Sequence, residues 1–160
     1  SGIAVFAAAG NDGPVAQTIN SPGIHPAVIT VGSCDDHNTP DPADDTVSIF
    51  SSRGPTVDGL TKPDLLAPGS NIIAAKAANS LLAKTKDNLN TEWYISLSGT
   101  SMATTLCAGI AAQILEAYPE LTPPELKEKL LSTASKLDNE DANTQGHDVV
   151  NAWAALNKDL

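Results

Sequence analysis

Between residues 100 and 118 the chain presents apolar or small side chains in almost every direction around a helix. Met102, Ala103, Leu106, Cys107, Ile110, Ala111, Ile114 and Leu115 leave no polar stripe. A helix apolar nearly all round runs through a core rather than over its surface. The rest of the chain has to supply its cover, and short apolar runs are available to do so. Residues 3–9 (IAVFAAA) end at a Gly10-Asn11-Asp12-Gly13-Pro14 turn, and residues 27–33 (AVITVGS) repeat the pattern after Pro22, Gly23 and Pro26. Continuous apolar runs of this length are what strands buried on both faces look like. Residues 47–50, 71–75 and 93–97 are further strand candidates, separated by Arg53-Gly54-Pro55, Lys62-Pro63-Asp64 and Ala67-Pro68-Gly69 turns. Residues 76–91 show no clear face and read as a loop or a short helix.

After Pro119 the signals are helical again. Thr122 is a predicted N-cap, Pro123 the first helical residue, and Glu125 completes a capping box. Leu126, Leu130 and Leu131 form the expected apolar stripe, with Lys127, Glu128 and Lys129 facing water, and residues 149–156 predict a short final helix. These elements predict an α/β fold, a mainly parallel sheet with helices on both faces.

The 160 residues and 41% hydrophobic content suit one soluble globular domain. Nineteen acids against nine bases give −10, which disfavours nucleic-acid partners and anionic membranes because both require basic clusters. No apolar run is long enough to span a bilayer. The charge is uneven. Residues 1–52 contain six acids and no Lys or Arg, and acids crowd residues 35–45 and 138–148, both read as solvated loops. Two cysteines, Cys34 and Cys107, are too few for a disulfide framework. The sequence opens at Ser1 without Met or a signal-like segment and enters an apolar run at once, which suggests missing upstream sequence.

Two glycine-flanked turns carry the chemistry. Ser98-Gly99-Thr100-Ser101-Met102-Ala103 joins the strand at 93–97 to the core helix. A serine there can present its hydroxyl to a carbonyl carbon while its own N–H, at the positive helix end, stabilises an oxyanion. Ser and Thr ahead of an apolar helix serve most often as N-caps, so the hexapeptide alone leaves both uses open. The second turn, Ala8-Ala9-Gly10-Asn11-Asp12-Gly13, places an Asn amide at a strand end, where it can donate to an oxyanion or simply take a left-handed turn conformation. A phosphate-binding loop is excluded, because no G-x-G-x-x-G or P-loop lysine is present.

Taken together these motifs resemble the subtilisin-like serine proteases. Gly99-Thr100-Ser101-Met102-Ala103 is similar to the family's nucleophile motif and Ala8-Ala9-Gly10-Asn11 to its oxyanion segment. The stretches from Phe50 to Pro55 and from Lys62 to Gly69 resemble connecting segments in the right order, and Gly146 with Val150-Asn151-Ala152 resembles the closing segment. The resemblance implies that Ser101 is the nucleophile of an endopeptidase, Asn11 its oxyanion donor and a polypeptide its substrate, with no cofactor in the chemistry. It also implies an Asp and a His that precede both residues along the chain. Neither stands ahead of Asn11, and His25, His37 and His147 lack the family's His-Gly-Thr-His setting. The chain is therefore expected to be the C-terminal portion of a subtilisin-like domain, incomplete and inactive without its N-terminal half. The alternative is a non-catalytic binding or scaffolding module that retains the fold.

Two departures from the family pattern stand out. Thr105 replaces a proline four residues after the nucleophile, which allows the helix start to shift, and His147-Asp148 alters a turn. The acids of residues 35–45 are candidates for a structural Ca²⁺, and the carbonyls of residues 23–28 resemble a family cation loop. Arg53 is expected to pair with Asp64. Asp12, beside Asn11, is expected at the rim of the primary specificity pocket, favouring basic substrate residues.

Overall fold

The computed structural model describes residues 2–85, 91–137 and 140–158. Its central strand is β2 (Ile29–Asp35), buried over six of its seven residues as the continuous apolar run requires. Strand β1 (Phe6–Ala8) pairs with it in parallel, Phe6 opposite Ile29 and Ala8 opposite Val31. Strand β3 (Thr46–Val47) pairs antiparallel with its last two residues. Strand β4 (Leu65–Pro68) pairs in parallel, Val31 opposite Leu65 and Ser33 opposite Ala67. A separate antiparallel ribbon joins β5 (Ile72–Ala75) to β6 (Tyr94–Leu97), with the short helix α1 (Leu81–Thr85) between them. Part of the stretch read as loop or short helix, residues 86–90, lies outside the described residues.

Helix α2 (Thr100–Ala117) lies across the main sheet. Its Ala103, Cys107, Ala111 and Ile114, three or four residues apart, meet Ile29, Val31, Leu65 and Ala67 in one core cluster. Helices α3 (Pro123–Ser132) and α5 (Ala152–Asn157) close that cluster with Leu126, Leu130 and Ala155. Burying each large aliphatic side chain contributes about 1.5–3 kcal/mol. The opposite face gathers Cys34, Val47, Leu66, Leu137 and Val149, and Gln145 of α4 (Ala142–Gln145) reaches the Leu137 carbonyl there.

Several sequence expectations need correction. Helix α2 is buried along one face only, while Ser101, Thr105, Leu106, Gly109 and Ala112 are exposed, because the described residues cover it from one side. Strand β4 was hidden between Pro63 and Pro68, yet Pro68 sits at its last position, where turn punctuation and strand end coincide. The predicted strand at 47–50 stops at Val47 and gives way to a turn in which the Ser51 N–H bonds the Ser48 carbonyl. Val149 belongs to bridges with Leu66 and Ser135 rather than to the last helix, which starts only at Ala152 behind an Asn151 cap. Residues 138–148 are not wholly a solvated loop, since Thr144 and Gln145 of α4 are buried.

The capping box of α3 forms as predicted, with the Thr122 N–H donating to Glu125 Oε2 at 2.8 Å. Lys129, however, is 1% exposed rather than facing water. Leu126, Lys129, Leu130 and Thr133 fall on one face at helical spacing, so the lysine stem joins the core. Its ammonium donates to the Lys158 carbonyl at 2.8 Å and lies 4.4 Å from the centre of the Tyr118 ring. Tyr118 in turn donates to the Leu156 carbonyl at 2.9 Å. Lys129→Met keeps most of the stem and removes the charge. Hydrogen exchange in the full-length protein is expected to show α5 opening faster while α2 keeps its protection.

Candidate active site

In a parallel sheet the carboxyl ends of the strands are where ligands meet the fold. Asn11 follows β1 at that end, and Gly69 follows β4. The Gly69 carbonyl accepts the Gly99 N–H at 2.8 Å, which brings the start of α2 to the same edge. Gly10 makes the approach possible. Its φ of +114° suits glycine, and a Cβ there would meet Ser52 Oγ at 2.7 Å and Asn20 Nδ2 at 2.8 Å.

Asn11 and α2 are locked together. Asn11 Oδ1 accepts the Thr100 N–H at 2.9 Å and the Thr100 hydroxyl at 3.0 Å, and Thr100 Oγ1 accepts the Gly10 N–H at 3.3 Å. The amide orientation follows, because a backbone N–H can only meet the carbonyl oxygen. Asn11 Nδ2 is left with no hydrogen-bond partner among the described residues. Asn11 thus caps α2 from 89 positions away, with no side-chain cap from the Gly99 position. The choice between N-cap and some other use for the three hydroxyls narrows accordingly. Ser98 Oγ accepts the Asn71 N–H at 2.8 Å, and Thr100 binds Asn11. Ser98 and Ser101 are both exposed, but only Ser101 has a hydroxyl and an N–H that are both without partners among the described residues.

Thr105 lies in the second turn of the helix. Its hydroxyl donates to the Ser101 carbonyl at 2.9 Å, and α2 begins at Thr100. Beside the first turn an apolar cleft of about 220 Å³ is lined by Ile72, Ala74, Leu97, Met102, Thr105 and Leu106. Asp12 is exposed next to Asn11, with Oδ2 accepting from Asn20 Nδ2 at 2.6 Å.

The histidines are engaged elsewhere. His25 Nδ1 accepts the Ala27 N–H, His37 Nε2 meets the Thr46 hydroxyl, and His147 Nδ1 faces the Asp64 carbonyl. Burial pushes the thiols of Cys34 and Cys107 up to about 12, so neither is a thiolate nucleophile. The carboxylates of residues 35–45 are engaged largely within their own loop. Asp35, Asp36 and Asp41 accept nearby backbone N–H groups, Asp44 takes the Thr39 hydroxyl, and no group of three or more His, Cys, Asp or Glu among the described residues could hold a metal. No helix among the described residues is long and apolar enough to cross a membrane.

Among the described residues Arg53 makes no ion pair with Asp64, and its Nε is buried without a hydrogen-bond partner. Asp64 instead binds Lys62 at 2.5 Å, Lys127 at 2.8 Å and the Thr30 N–H at 2.7 Å. Lys62 also donates to the Val28 carbonyl at 2.8 Å, within the loop that resembles a cation site.

The exposed Ser101 in the first turn of α2 and the Asn11 amide that caps the same helix thus lie at the carboxyl edge of the parallel strands. The sequence profile described as "Subtilase family" (Peptidase_S8) matches residues 1–147, and the chain belongs to that family. It is 54% identical over 153 residues to "Serine protease AprX" of Bacillus subtilis (strain 168), covering 95% of this chain and 35% of that protein. "Subtilisin DY" of Bacillus licheniformis is 34% identical over 157 residues, covering 97% of this chain and 47% of that protein. Fervidolysin from Fervidobacterium pennivorans, a keratinolytic enzyme related to subtilisin, superposes with a TM-score of 0.75 at 26% identity, over 99% of this chain and 23% of that one. The chain thus spans between a third and a half of the two curated relatives.

Proposed function

We propose that these 160 residues are the C-terminal portion of the catalytic domain of a subtilisin-like serine endopeptidase, with Ser101 as nucleophile. The observation that carries this reading is the Thr100–Asn11 lock, which caps α2 and leaves both the Ser101 hydroxyl and Asn11 Nδ2 unengaged. Ser101 Oγ attacks the scissile carbonyl carbon, and its proton passes to a base. Negative charge collects on the former carbonyl oxygen, where Asn11 Nδ2 and the Ser101 N–H donate to it at the positive end of α2. Collapse breaks the C–N bond, the base returns its proton to the departing amine, and an ester remains on Ser101. Water then releases the acid product and restores the hydroxyl. No cofactor enters these steps.

A serine of ordinary acidity needs that base, and the base needs an orienting carboxylate. Both are assigned to polypeptide outside these residues, packed over the exposed face of α2, and the 160-residue chain alone is inactive. A fluorophosphonate probe tests this, because it labels only an activated hydroxyl. Expected is stoichiometric labelling of Ser101 in the full-length protein and none in residues 1–160 alone. An unlabelled full-length protein sinks the protease reading and favours a binding or scaffolding module on the same fold.

Asp12 adds a preference. Its carboxylate lies beside the oxyanion donor and favours a cationic side chain on the acyl side of the scissile bond. Asp12→Ala is expected to lower kcat/KM for Arg-containing peptides about fivefold, with Leu peptides unchanged, consistent with the ~1 kcal/mol reach of an exposed ion pair. Equal losses on both peptides remove Asp12 from substrate selection.

A further inference from the structure

Beneath the first turn of α2 the protein buries a set of hydroxyls that the apolar core does not need. Ser33, Ser48, Ser51 and Ser70 are each no more than 5% exposed. Ser33 Oγ and Ser48 Oγ are 2.8 Å apart, and Ser48 Oγ and Ser70 Oγ 3.0 Å. Ser51 Oγ accepts the Ser33 N–H at 3.0 Å. Three linked hydroxyls have one proton more than their two mutual bonds consume. The Cys34 carbonyl, 3.5 Å from Ser33 Oγ, is its acceptor, so the chain runs from Ser70 through Ser48 and Ser33 to the backbone of β2.

Ser70 lies between the two residues that hold the turn before Ser101. The Gly69 carbonyl accepts the Gly99 N–H at 2.8 Å, and the Asn71 N–H donates to Ser98 Oγ at 2.8 Å. Gly69 itself donates to the Cys34 carbonyl at 3.0 Å. A Cβ on Gly69 would collide with Ser33 Oγ and come within 2.8 Å of the Gly99 carbonyl oxygen, so the turn is clamped between hydroxyls below and Gly99 above. Asn11 is anchored to the same strand by another route, since the Ala9 N–H donates to the Val31 carbonyl at 2.9 Å. Strand β2 is thus a common reference for both donor and nucleophile. Alanine would occupy these positions with no polar group to satisfy. Hydrogen bonds fix distance and direction, whereas apolar contact is non-directional.

We propose that the Ser33–Ser48–Ser70 hydroxyl chain is a positioning network that sets residues 69–71, and through them the placement of Ser101 Oγ relative to Asn11 Nδ2. The proposal rests on the acyl-transfer reading and assigns to that reaction residues that never touch substrate.

The test uses the full-length protein and measures melting temperature, the rate of fluorophosphonate labelling, and kcat and KM below the melting transition. Ser48→Ala and Ser70→Ala are each expected to slow labelling and lower kcat about tenfold with KM within twofold, since small misplacements of a reacting group carry large rate costs. The double variant is expected to lose no more than the worse single one, because either cut opens the same chain. Ser70→Thr, which keeps the hydroxyl, restores the rate and carries the test if Ser48→Ala does not fold. Thr133→Ala removes a buried hydroxyl from α3, where it donates to the Lys129 carbonyl, and is expected to lower only the melting temperature. Wild-type labelling rates in both serine variants, additive losses, or an equal kinetic loss in Thr133→Ala overturn the network. A wild-type protein that does not label at Ser101 overturns the acyl-transfer reading first, and the network with it.

Discussion

Ser101→Ala in the full-length protein is expected to reduce peptide hydrolysis to background, and Asn11→Ala to lower kcat about 10- to 160-fold with KM within twofold. The second figure follows from one charge-assisted hydrogen bond, about 1.5–3 kcal/mol, present in the transition state and largely absent with bound substrate. Asn11→Ala also removes the acceptor of the Thr100 N–H, so part of the loss is a frayed α2 start. Asn11→Asp separates the two effects. The carboxylate still caps Thr100 but replaces the amide donor with a negative charge facing the oxyanion. Its kcat is expected to be as low as that of Asn11→Ala while its melting temperature stays near wild type. A variant that recovers kcat together with the cap shows that Asn11 acts only through the helix. Thr100→Val leaves the backbone bond to Asn11 and removes both hydroxyl bonds, to Asn11 Oδ1 and from the Gly10 N–H, so an intermediate loss of roughly fivefold is expected.

The division between what sequence reveals and what it hides runs along contact distance. β2, α2 and the α3 capping box are local patterns, and they form within a few residues of their predicted ends. The proposal of Ser101 and Asn11 as site residues rests on two short motifs and the family resemblance. Thr100, which aims the Asn11 amide, is not legible in the sequence, because its partner is 89 positions away and its own signal is that of an ordinary cap residue. Charge alone pairs Arg53 with Asp64, whereas Lys62 stands two residues from Asp64 in the segment ahead of β4 and the packing of α3 delivers Lys127. Lys129 is the instructive failure. A count from Leu126 at three, four and seven residues places it on the buried face, and only its charge argued against that position.

Asp64 ties three separate parts of the fold, and Asp64→Ala is expected to destabilise the full-length protein by about 3–5 kcal/mol in urea titration. Removing one member of a buried ion pair leaves the other uncompensated, and here two ammonium groups lose their carboxylate at once. Lys62 is 2% exposed, and Lys127 lies on α3, so the loss loosens the contact between α3 and the start of β2, where Val28 leads into the strand and Thr30 lies within it. Lys62→Met, which leaves Asp64 with Lys127 and the Thr30 N–H, is expected to cost less. The two variants also differ from wild type in pH dependence. Burial holds the Lys62 ammonium below its ordinary value of 10.5, outweighing the pull of Asp64 in the other direction. Between the folded value and 10.5 the unfolded chain keeps a proton that the folded protein has released. Unfolding then takes up a proton, and this lysine makes stability rise with pH across that window. Lys62→Met is expected to remove that rising component from urea titrations on the alkaline side. An unchanged slope places the Lys62 ammonium in contact with water, and with it the expectation of a large Asp64→Ala effect falls.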